Sequence, residues 1–154
     1  CHWVHVREEG LSETPGRCPL RPLDYARIGN FGGLELKAGS EGSVRLTTID
    51  ELLLERLDFL KLDIEGMEPQ ALRGARTTLR KFKPILYIEV DRPAQKAQVL
   101  EELAALGYRW REHFTFLFNA ENTNRVAHNI YADAMSFNLL AWPAEREALS
   151  DLSM

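Results

Sequence analysis

Acidic residues follow two short apolar segments of the chain, at the place where each segment ends. Asp63 and Glu65 follow the first segment, with Glu68 one helical turn further on, and Glu89 and Asp91 follow the second. A single acid at the end of an apolar strand has a sufficient structural explanation. Carboxylates that converge from two adjacent strand ends can also deprotonate a hydroxyl, hold a cation or bind an amine.

The segments around these acids alternate between strand and helix patterns. Residues 58–64 form a compact apolar run, which favours a buried parallel strand, and residues 85–90 form a second run. Between them, residues 67–82 repeat apolar side chains at helical spacing, and Pro84 ends that pattern. Lys61 lies two residues before Asp63, so the period of a strand puts it on the same face, where it can pair with or orient a carboxylate.

A second helix is predicted to start at Asp91, with this aspartate as N-cap and Pro93 at the first helical position, and to end at Gly107. The order strand, helix, strand, helix over residues 58–107 predicts two adjacent parallel strands with right-handed crossovers. Ligands collect at the carboxyl ends of the strands in such a sheet. The acidic residues are therefore candidates for the functional site.

The flanking segments have different patterns. We divide the chain into an irregular or hairpin segment over residues 1–46, an α/β core over residues 47–143 and a polar tail over residues 144–154. Glycines and prolines are dense in the first segment, and alternation at residues 34–36 and 44–46 predicts a hairpin. Three apolar-aromatic runs lie at residues 108–110, 114–118 and 135–142. They predict strands that complete the edge of the sheet, with one antiparallel pair among them.

The composition is that of a globular domain, and it argues against some classes of binding partner. The 154 residues are 45% apolar and carry a net charge of −4 without a dominant basic cluster, which argues against nucleic acid. No apolar run approaches the roughly 20 residues of a membrane span, so we expect no membrane partner. Cys1 and Cys18 are too few for a disulfide framework and indicate a reducing cytoplasm. Because the first residue is Cys and not Met, we expect a processed or excised piece of a longer protein.

The most specific signal is the run FLKLDIEGME at residues 59–68. It resembles the signature of FkbM-type methyltransferases, in which a strand with a lysine and an aspartate leads through E-G-x-E into a helix. The following ALRGA at residues 71–75 and PILYIE at residues 84–89 are similar to that family's next helix and strand. TIDEL at residues 48–52 resembles the segment before the signature, and SFNLL at residues 136–140 resembles the asparagine-rich tail of some members.

The resemblance implies a fold and an activity. The fold is α/β, the C-terminal half of a Rossmann-like seven-stranded methyltransferase sheet, mostly parallel with an antiparallel closing pair of strands. The activity is transfer of the methyl group of S-adenosylmethionine, usually to a hydroxyl, here of a small-molecule or sugar acceptor. Asp63 would end the fourth strand, nearest the cofactor and the reaction, and Glu65 and Glu89 would complete the catalytic residues on the acceptor side.

The chain also departs from that family. The cofactor site of such enzymes is built chiefly by an acid followed by G-x-x-x-G after the first strand and by a ribose-binding acid after the second. The only glycine cluster here, at residues 29–33, has no buried strand before it and is predicted to be a turn. We therefore expect that the missing half lies upstream of Cys1, or that this polypeptide does not bind the cofactor alone.

Two other functions fit parts of the pattern. One is a non-catalytic methyltransferase remnant that acts as a protein-interaction module. The other is a cation-dependent transferase with Asp63 and Glu65 as a D-x-E metal site, which would need diphosphate-binding elements that the sequence lacks. His2 and His5 have H-x-x-H spacing, but in a strand they would point to opposite faces, so no metal is predicted. Assembly into a homo-oligomer is compatible with the composition.

Overall fold

The computed structural model describes residues 3–19, residue 26 and residues 44–146. These residues form two β-sheets, three α-helices and one short 3₁₀ helix at Asp50–Leu52. The strands are β1 (Glu9–Leu11), β2 (Gly16–Cys18), β3 (Val44–Thr47), β4 (Phe59–Leu62), β5 (Ile85–Glu89), β6 (Tyr108–Phe116) and β7 (Met135–Pro143). The helices are α1 (Glu68–Arg73), α2 (Arg76–Phe82) and α3 (Pro93–Ala105).

The larger sheet has the strand order β4-β5-β7-β6. β4 and β5 pair in parallel, and β7 pairs antiparallel with β5 on one side and with β6 on the other. The α/β class, the adjacent parallel strands and the antiparallel closing pair are thus confirmed. The expectation of a mostly parallel sheet is wrong for these four strands, because β7 lies between β5 and β6 and replaces a parallel pairing by two antiparallel ones. The seven-stranded sheet stays a prediction.

One face of this sheet packs on the helices and forms the core. Leu62, Leu86 and Ile88 are buried on that face together with Leu139 and Ala141 of β7. Their helical partners are also buried and comprise Ala71 and Leu72 of α1, Leu79 of α2, and Val99 and Leu103 of α3. Side chains alternate across a strand, so this pattern turns Lys61, Tyr87 and Asn138 to the opposite face.

The prediction of a buried parallel strand at residues 58–64 is confirmed for the parallel pairing, but burial is limited to one side of the strand. Phe59 is 55% exposed and Lys61 is exposed, whereas Leu62 is buried. β5 alternates in the same way between buried and half-buried residues. In the part of the chain that the structure describes, the core packs on one face of the sheet, so every second residue of the strand lies on the other face.

The predicted single helix over residues 67–82 is two helices. Gly74 ends α1, and its carbonyl oxygen accepts a hydrogen bond from the amide of Asp50 at 2.9 Å. A Cβ atom at Gly74 would lie 2.2 Å from the carbonyl oxygen of Ser12. The backbone of the N-terminal segment therefore approaches the helix at this point, and the apolar periodicity continues across a break that coincides with tertiary contacts.

The start of α3 also differs from the prediction. Arg92 is the N-cap, without a capping side-chain hydrogen bond, and Pro93 is the first helical residue as expected. Asp91 does not cap the helix, because its Oδ1 atom accepts a hydrogen bond from the amide of Phe137 in β7 at 2.8 Å. Gly107 follows the helix with a φ of +75°, which confirms its role at the helix end.

The smaller sheet has the order β1-β3-β2, with β1 parallel and β2 antiparallel to β3. The predicted strand at residues 44–46 is confirmed, whereas its predicted hairpin partner at residues 34–36 lies outside the described residues. Cys18 is buried and is a free thiol. Among the helices that the structure describes, none is long and apolar enough to cross a membrane.

Candidate functional site

Three acidic side chains meet at the carboxyl edge of β4 and β5. Asp63 follows β4, Glu89 is the last residue of β5, and Glu65 lies in the turn after Asp63. Each offers a carboxylate oxygen, and these three oxygens lie within 4.8 Å of one another. The convergence expected from the sequence is present because the two strands are adjacent and parallel and end at the same edge.

The carboxyl groups of Asp63 and Glu89 lie close together, with carboxylate oxygens within 4.8 Å, and their pKa values shift in opposite directions. Burial, and then the bond to Asp63, raise the pKa of Glu89 to about 7. The hydrogen bond from Lys61, and then the bond to Glu89, lower the pKa of Asp63. Lys61 Nζ lies 2.7 Å from Asp63 Oδ2. The lowered pKa keeps Asp63 ionised at neutral pH, and Glu89 is the member of the pair that titrates near neutral pH.

The Glu89 carboxyl group also contacts the beginning of β7. Ser136 Oγ donates a hydrogen bond to Glu89 Oε1 at 3.1 Å, and Asn138 Nδ2 donates to Ser136 Oγ at 3.0 Å. Asn138 is buried and lies opposite Glu89 in the β5–β7 register. The resemblance of SFNLL to the family tail pointed at this segment, but no local pattern predicted its contact with Glu89, 47 residues away.

Glu68 has a structural position beside the site. Its side chain is buried, and Oε1 accepts hydrogen bonds from the amides of Ile64 at 3.0 Å and Gly66 at 3.2 Å. Both amides belong to the turn that links β4 to α1. Because buried amides need acceptors, Glu68 holds this turn and stays out of the group formed by Asp63, Glu65 and Glu89.

The turn itself adopts an unusual backbone and contacts the start of α3. Glu65 has a φ of +54° and Gly66 a φ of +102°, both in the left-handed region. Gln95 Nε2 donates to the carbonyl oxygen of Gly66 at 2.9 Å, and Arg92 Nη2 lies 3.7 Å from Glu65 Oε2. We refer to Arg92 and Gln95 as the α3 clamp. It faces the turn that directs Glu65 toward the other two acids.

Tyr87 and His113 form a pair on the same sheet face as the acids. Tyr87 Oη lies 2.7 Å from His113 Nδ1, and the two rings meet edge to face at 5.8 Å. Tyr87 is opposite Lys61 in the β4–β5 register. Burial raises the pKa of Tyr87, while Lys61 acts to lower it. The local sequence around His113 does not predict this pair; the one signal is the position of Tyr87, two residues before Glu89 on one strand face.

The asparagines between β6 and β7 are turn-formers. Asn119 Oδ1 accepts from the amide of Glu121 at 2.9 Å, and Asn129 Oδ1 accepts from the amide of Tyr131 at 2.9 Å. Asn122 Oδ1 accepts from the amide of Val126 at 3.0 Å. The contacts described for these three asparagines therefore shape the loop.

The donor set of the site fits a positively charged group. Asp63 has a lowered pKa, so it carries a negative charge at neutral pH at the open edge of the sheet. The sulfonium of S-adenosylmethionine is such a group, and a metal cation is another, since the three acids lie close enough to share one ion. The glycine cluster at residues 29–33 lies outside the described residues.

The sheet and its acidic edge define an α/β enzyme-like domain with its candidate site at the ends of two parallel strands. The methyltransferase FkbM domain matches residues 23–110, a range that contains Asp63, Glu65 and Glu89. The chain therefore belongs to the FkbM methyltransferase family, as the resemblance predicted. Comparisons with curated proteins and with solved structures find no match.

Proposed function

We propose that this domain transfers the methyl group of S-adenosylmethionine to a hydroxyl of a small-molecule or sugar acceptor in the cytoplasm. The observation that supports this most is the Asp63–Glu89 carboxyl pair. It lies at the carboxyl edge of two adjacent parallel strands, within the range that matches the methyltransferase family. One member of the pair is charged and the other titrates near neutral pH, an arrangement suited to accepting a proton from a hydroxyl.

The two acids have different tasks in this proposal. Glu89 has a pKa of about 7, so near neutral pH a large fraction of it can accept the proton that the acceptor hydroxyl loses. Asp63 stays ionised, held by Lys61, and its charge favours a sulfonium beside it. The bound cofactor supplies the methyl group. Holding the acceptor oxygen in line with that group is the further task of the site, since methyl transfer is a displacement.

The acceptor has room on the sheet face that carries Lys61, Tyr87 and His113. In the part of the chain that the structure describes, the helices pack on the other face. The groups on this face can donate and accept hydrogen bonds, which suits a polar acceptor. Glu65 stands at the edge of the same surface, where its carboxylate can hydrogen-bond an acceptor hydroxyl.

A second candidate is the non-catalytic protein-interaction module. The observation in its favour is an exposed aromatic patch at the distal end of the β6–β7 hairpin. Phe114 and Phe137 pair edge to face at 5.3 Å and are 48% and 38% exposed, and Phe116 beside them is 65% exposed. Exposed apolar groups of this kind often mark protein contacts. An interaction module would not need the unequal charge on Asp63 and Glu89.

The test compares Asp63→Asn with Glu68→Gln in the full-length enzyme. We expect Asp63→Asn to lower methyl-transfer turnover by about 10²–10⁴-fold, because it removes a charge from the reacting centre. Glu68→Gln keeps the oxygen that accepts from Ile64 and Gly66 and should retain most activity. Initial rates at saturating cofactor measure the effect, with thermal melts to show that both variants fold. Equal losses in the two folded variants would make Asp63 a structural residue and favour the interaction module.

A further inference from the structure

A chain of hydrogen bonds leads from β7 into the carboxyl pair. Asn138 Nδ2 donates to Ser136 Oγ at 3.0 Å, and Ser136 Oγ donates to Glu89 Oε1 at 3.1 Å. Asn138 is only 5% exposed, so its side chain is held within the protein. We infer that Asn138, acting through Ser136, is a positioning residue that holds the Glu89 carboxyl group against Asp63.

The direction of the two bonds decides which oxygen of Glu89 can hold a proton. An amide N–H can only donate, so the contact from Asn138 occupies one lone pair of the Ser136 oxygen. The Ser136 hydroxyl hydrogen is directed at Glu89 Oε1, which accepts it. With Oε1 serving as the acceptor, we expect a protonated Glu89 to carry its hydrogen on the other oxygen, Oε2. Asn138 thus sets the orientation of the group that shares a proton with Asp63.

The backbone around this chain is fixed in register. Glu89 lies opposite Asn138, and the amide of Val90 donates to the carbonyl oxygen of Phe137 at 2.7 Å. The amide of Phe137 in turn donates to Asp91 Oδ1 at 2.8 Å. Because β7 is held against β5 and Asp91 at the two residues that follow Ser136, the Ser136 hydroxyl has a defined position relative to Glu89. Such fixed neighbours are what a reacting group needs to stay in a productive orientation.

The test is a titration of Glu89 by carbon NMR of labelled carboxyl groups, in the 154-residue chain and without cofactor. The Ser136 bond acts to lower the pKa of Glu89. We expect Ser136→Ala to raise the titration midpoint by about half to one pH unit, the size of one hydrogen bond to a carboxylate. Ser136→Thr keeps the hydroxyl and should restore the midpoint. The titrating or charged groups that also face Glu89 stay unchanged in these variants: Lys61, Asp63, Glu65, Tyr87, Asp91 and His113.

Asn138 is tested by a double-mutant cycle. Asn138→Leu should raise the midpoint in the same direction, and combining it with Ser136→Ala should raise it no further, because Asn138 acts through Ser136. Asn138→Ser takes the place of Asn138→Leu if the larger change prevents folding. Asn129→Leu, in the exposed loop between β6 and β7, is the matched control and should leave the midpoint unchanged. Additive effects in the cycle, or an unchanged midpoint in folded Ser136→Ala, would overturn the inference.

A functional readout separates this inference from the proposed function, on which its catalytic meaning rests. In the full-length enzyme, the acid limb of the methyl-transfer pH profile should move to higher pH in Ser136→Ala by the same amount as the NMR midpoint. If the midpoint moves and the rate profile does not, the positioning contact is real and Glu89 does not accept the proton. If neither moves, the positioning role itself is wrong.

Discussion

Carboxylate oxygens of Glu89 and Asp63 lie within 4.8 Å of each other, yet the pKa values of the two groups shift in opposite directions. Burial and the bond to Asp63 raise the pKa of Glu89 to about 7, and the bond from Lys61 lowers the pKa of Asp63. Two adjacent carboxyl groups cannot both ionise easily, so the group nearer a cation takes the charge and the other retains the proton. Lys61 is bonded to Asp63, which explains why Asp63 takes the charge.

We predict that Glu89 makes the stability of the protein depend on pH in a specific way. The folded-state pKa of Glu89 lies above its ordinary value of 4.5, so folding favours its protonated form. Stability from this group is fully present below about pH 4.5 and is lost as the pH rises to about 7. Urea unfolding of the wild type and of Glu89→Gln across this window measures the effect, and the variant should show a smaller decrease.

The pKa of Asp63 shifts in the opposite direction, so its effect on stability falls in a different pH range. Its pKa lies below the ordinary value of 3.8, so its stabilisation is present above that pH and disappears as the pH falls through the folded pKa.

The Glu89→Gln experiment needs a control for the loss of one charge. Glu101→Gln, at an exposed residue of α3, serves as that control. A wild-type curve that is parallel to the Glu89→Gln curve between the two pH limits would contradict the assignment of the proton to Glu89.

At the scale of elements, the turn between β4 and α1 depends on the α3 clamp. Gly66 has a φ of +102°, and a Cβ atom there would lie 2.4 Å from Gln95 Nε2 and 2.7 Å from Arg92 Nη1. The clamp therefore occupies the space that a side chain would need. Glu65 precedes Gly66 with its own left-handed backbone, so the shape of this turn sets the position of one of the three acids.

We predict that Gly66→Ala destabilises the protein more than Gly107→Ala does. Both residues have positive φ values, so each variant should lose about 1–2 kcal/mol through backbone strain. Gly107 has open space around its Cβ position, whereas Gly66→Ala must also displace Gln95 from its bond to the Gly66 carbonyl, a further loss of about 0.5–1.5 kcal/mol. Denaturant titrations measure both. Equal losses would show that the clamp does not support the turn.

At the scale of the whole molecule, the small sheet and the α/β core meet at the break between α1 and α2. Ser12 follows β1 and donates its amide to the carbonyl oxygen of Thr47 at 2.9 Å, and its own carbonyl lies against Gly74. Arg73 Nε reaches Glu13 Oε2 at 2.7 Å beside this contact. Asp50 completes the junction, because its carboxylate accepts from the amides of Thr77 and Thr78 at the start of α2.

We predict that Gly74→Ala disturbs this junction. Its φ of −76° is accessible to alanine, so backbone strain is not the reason. The added Cβ would lie 2.2 Å from the backbone oxygen of Ser12, which cannot turn away as a side chain can, and overpacking of this kind costs about 1–3 kcal/mol. Gly16→Ala meets nothing within 4 Å and should change stability by less than about 0.5 kcal/mol. Thermal melts of the two variants compare them, and a Gly74→Ala protein as stable as Gly16→Ala would contradict the close approach.

Features that depend on local patterns could be predicted from the amino-acid sequence. The apolar periods of residues 58–107 predicted β4, β5 and α3, and the order of these elements placed Asp63 and Glu89 at the same edge of a parallel pair. The spacing of apolar residues along a helix or strand can be recognised within a short segment, because it reflects which side of that one element faces the core. The family resemblance added the candidate activity, which no period or composition contains.

Tertiary structure decided the features that join distant residues. The break at Gly74 depends on the Ser12 backbone, Asp91 bonds to Phe137 instead of capping α3, and Ser136 meets Glu89 across 47 residues. Each of these contacts depends on the register and order of strands, which local periodicity does not encode. The unequal charge on Asp63 and Glu89 has the same origin, because a carboxyl group's pKa follows from its burial and its neighbours in space.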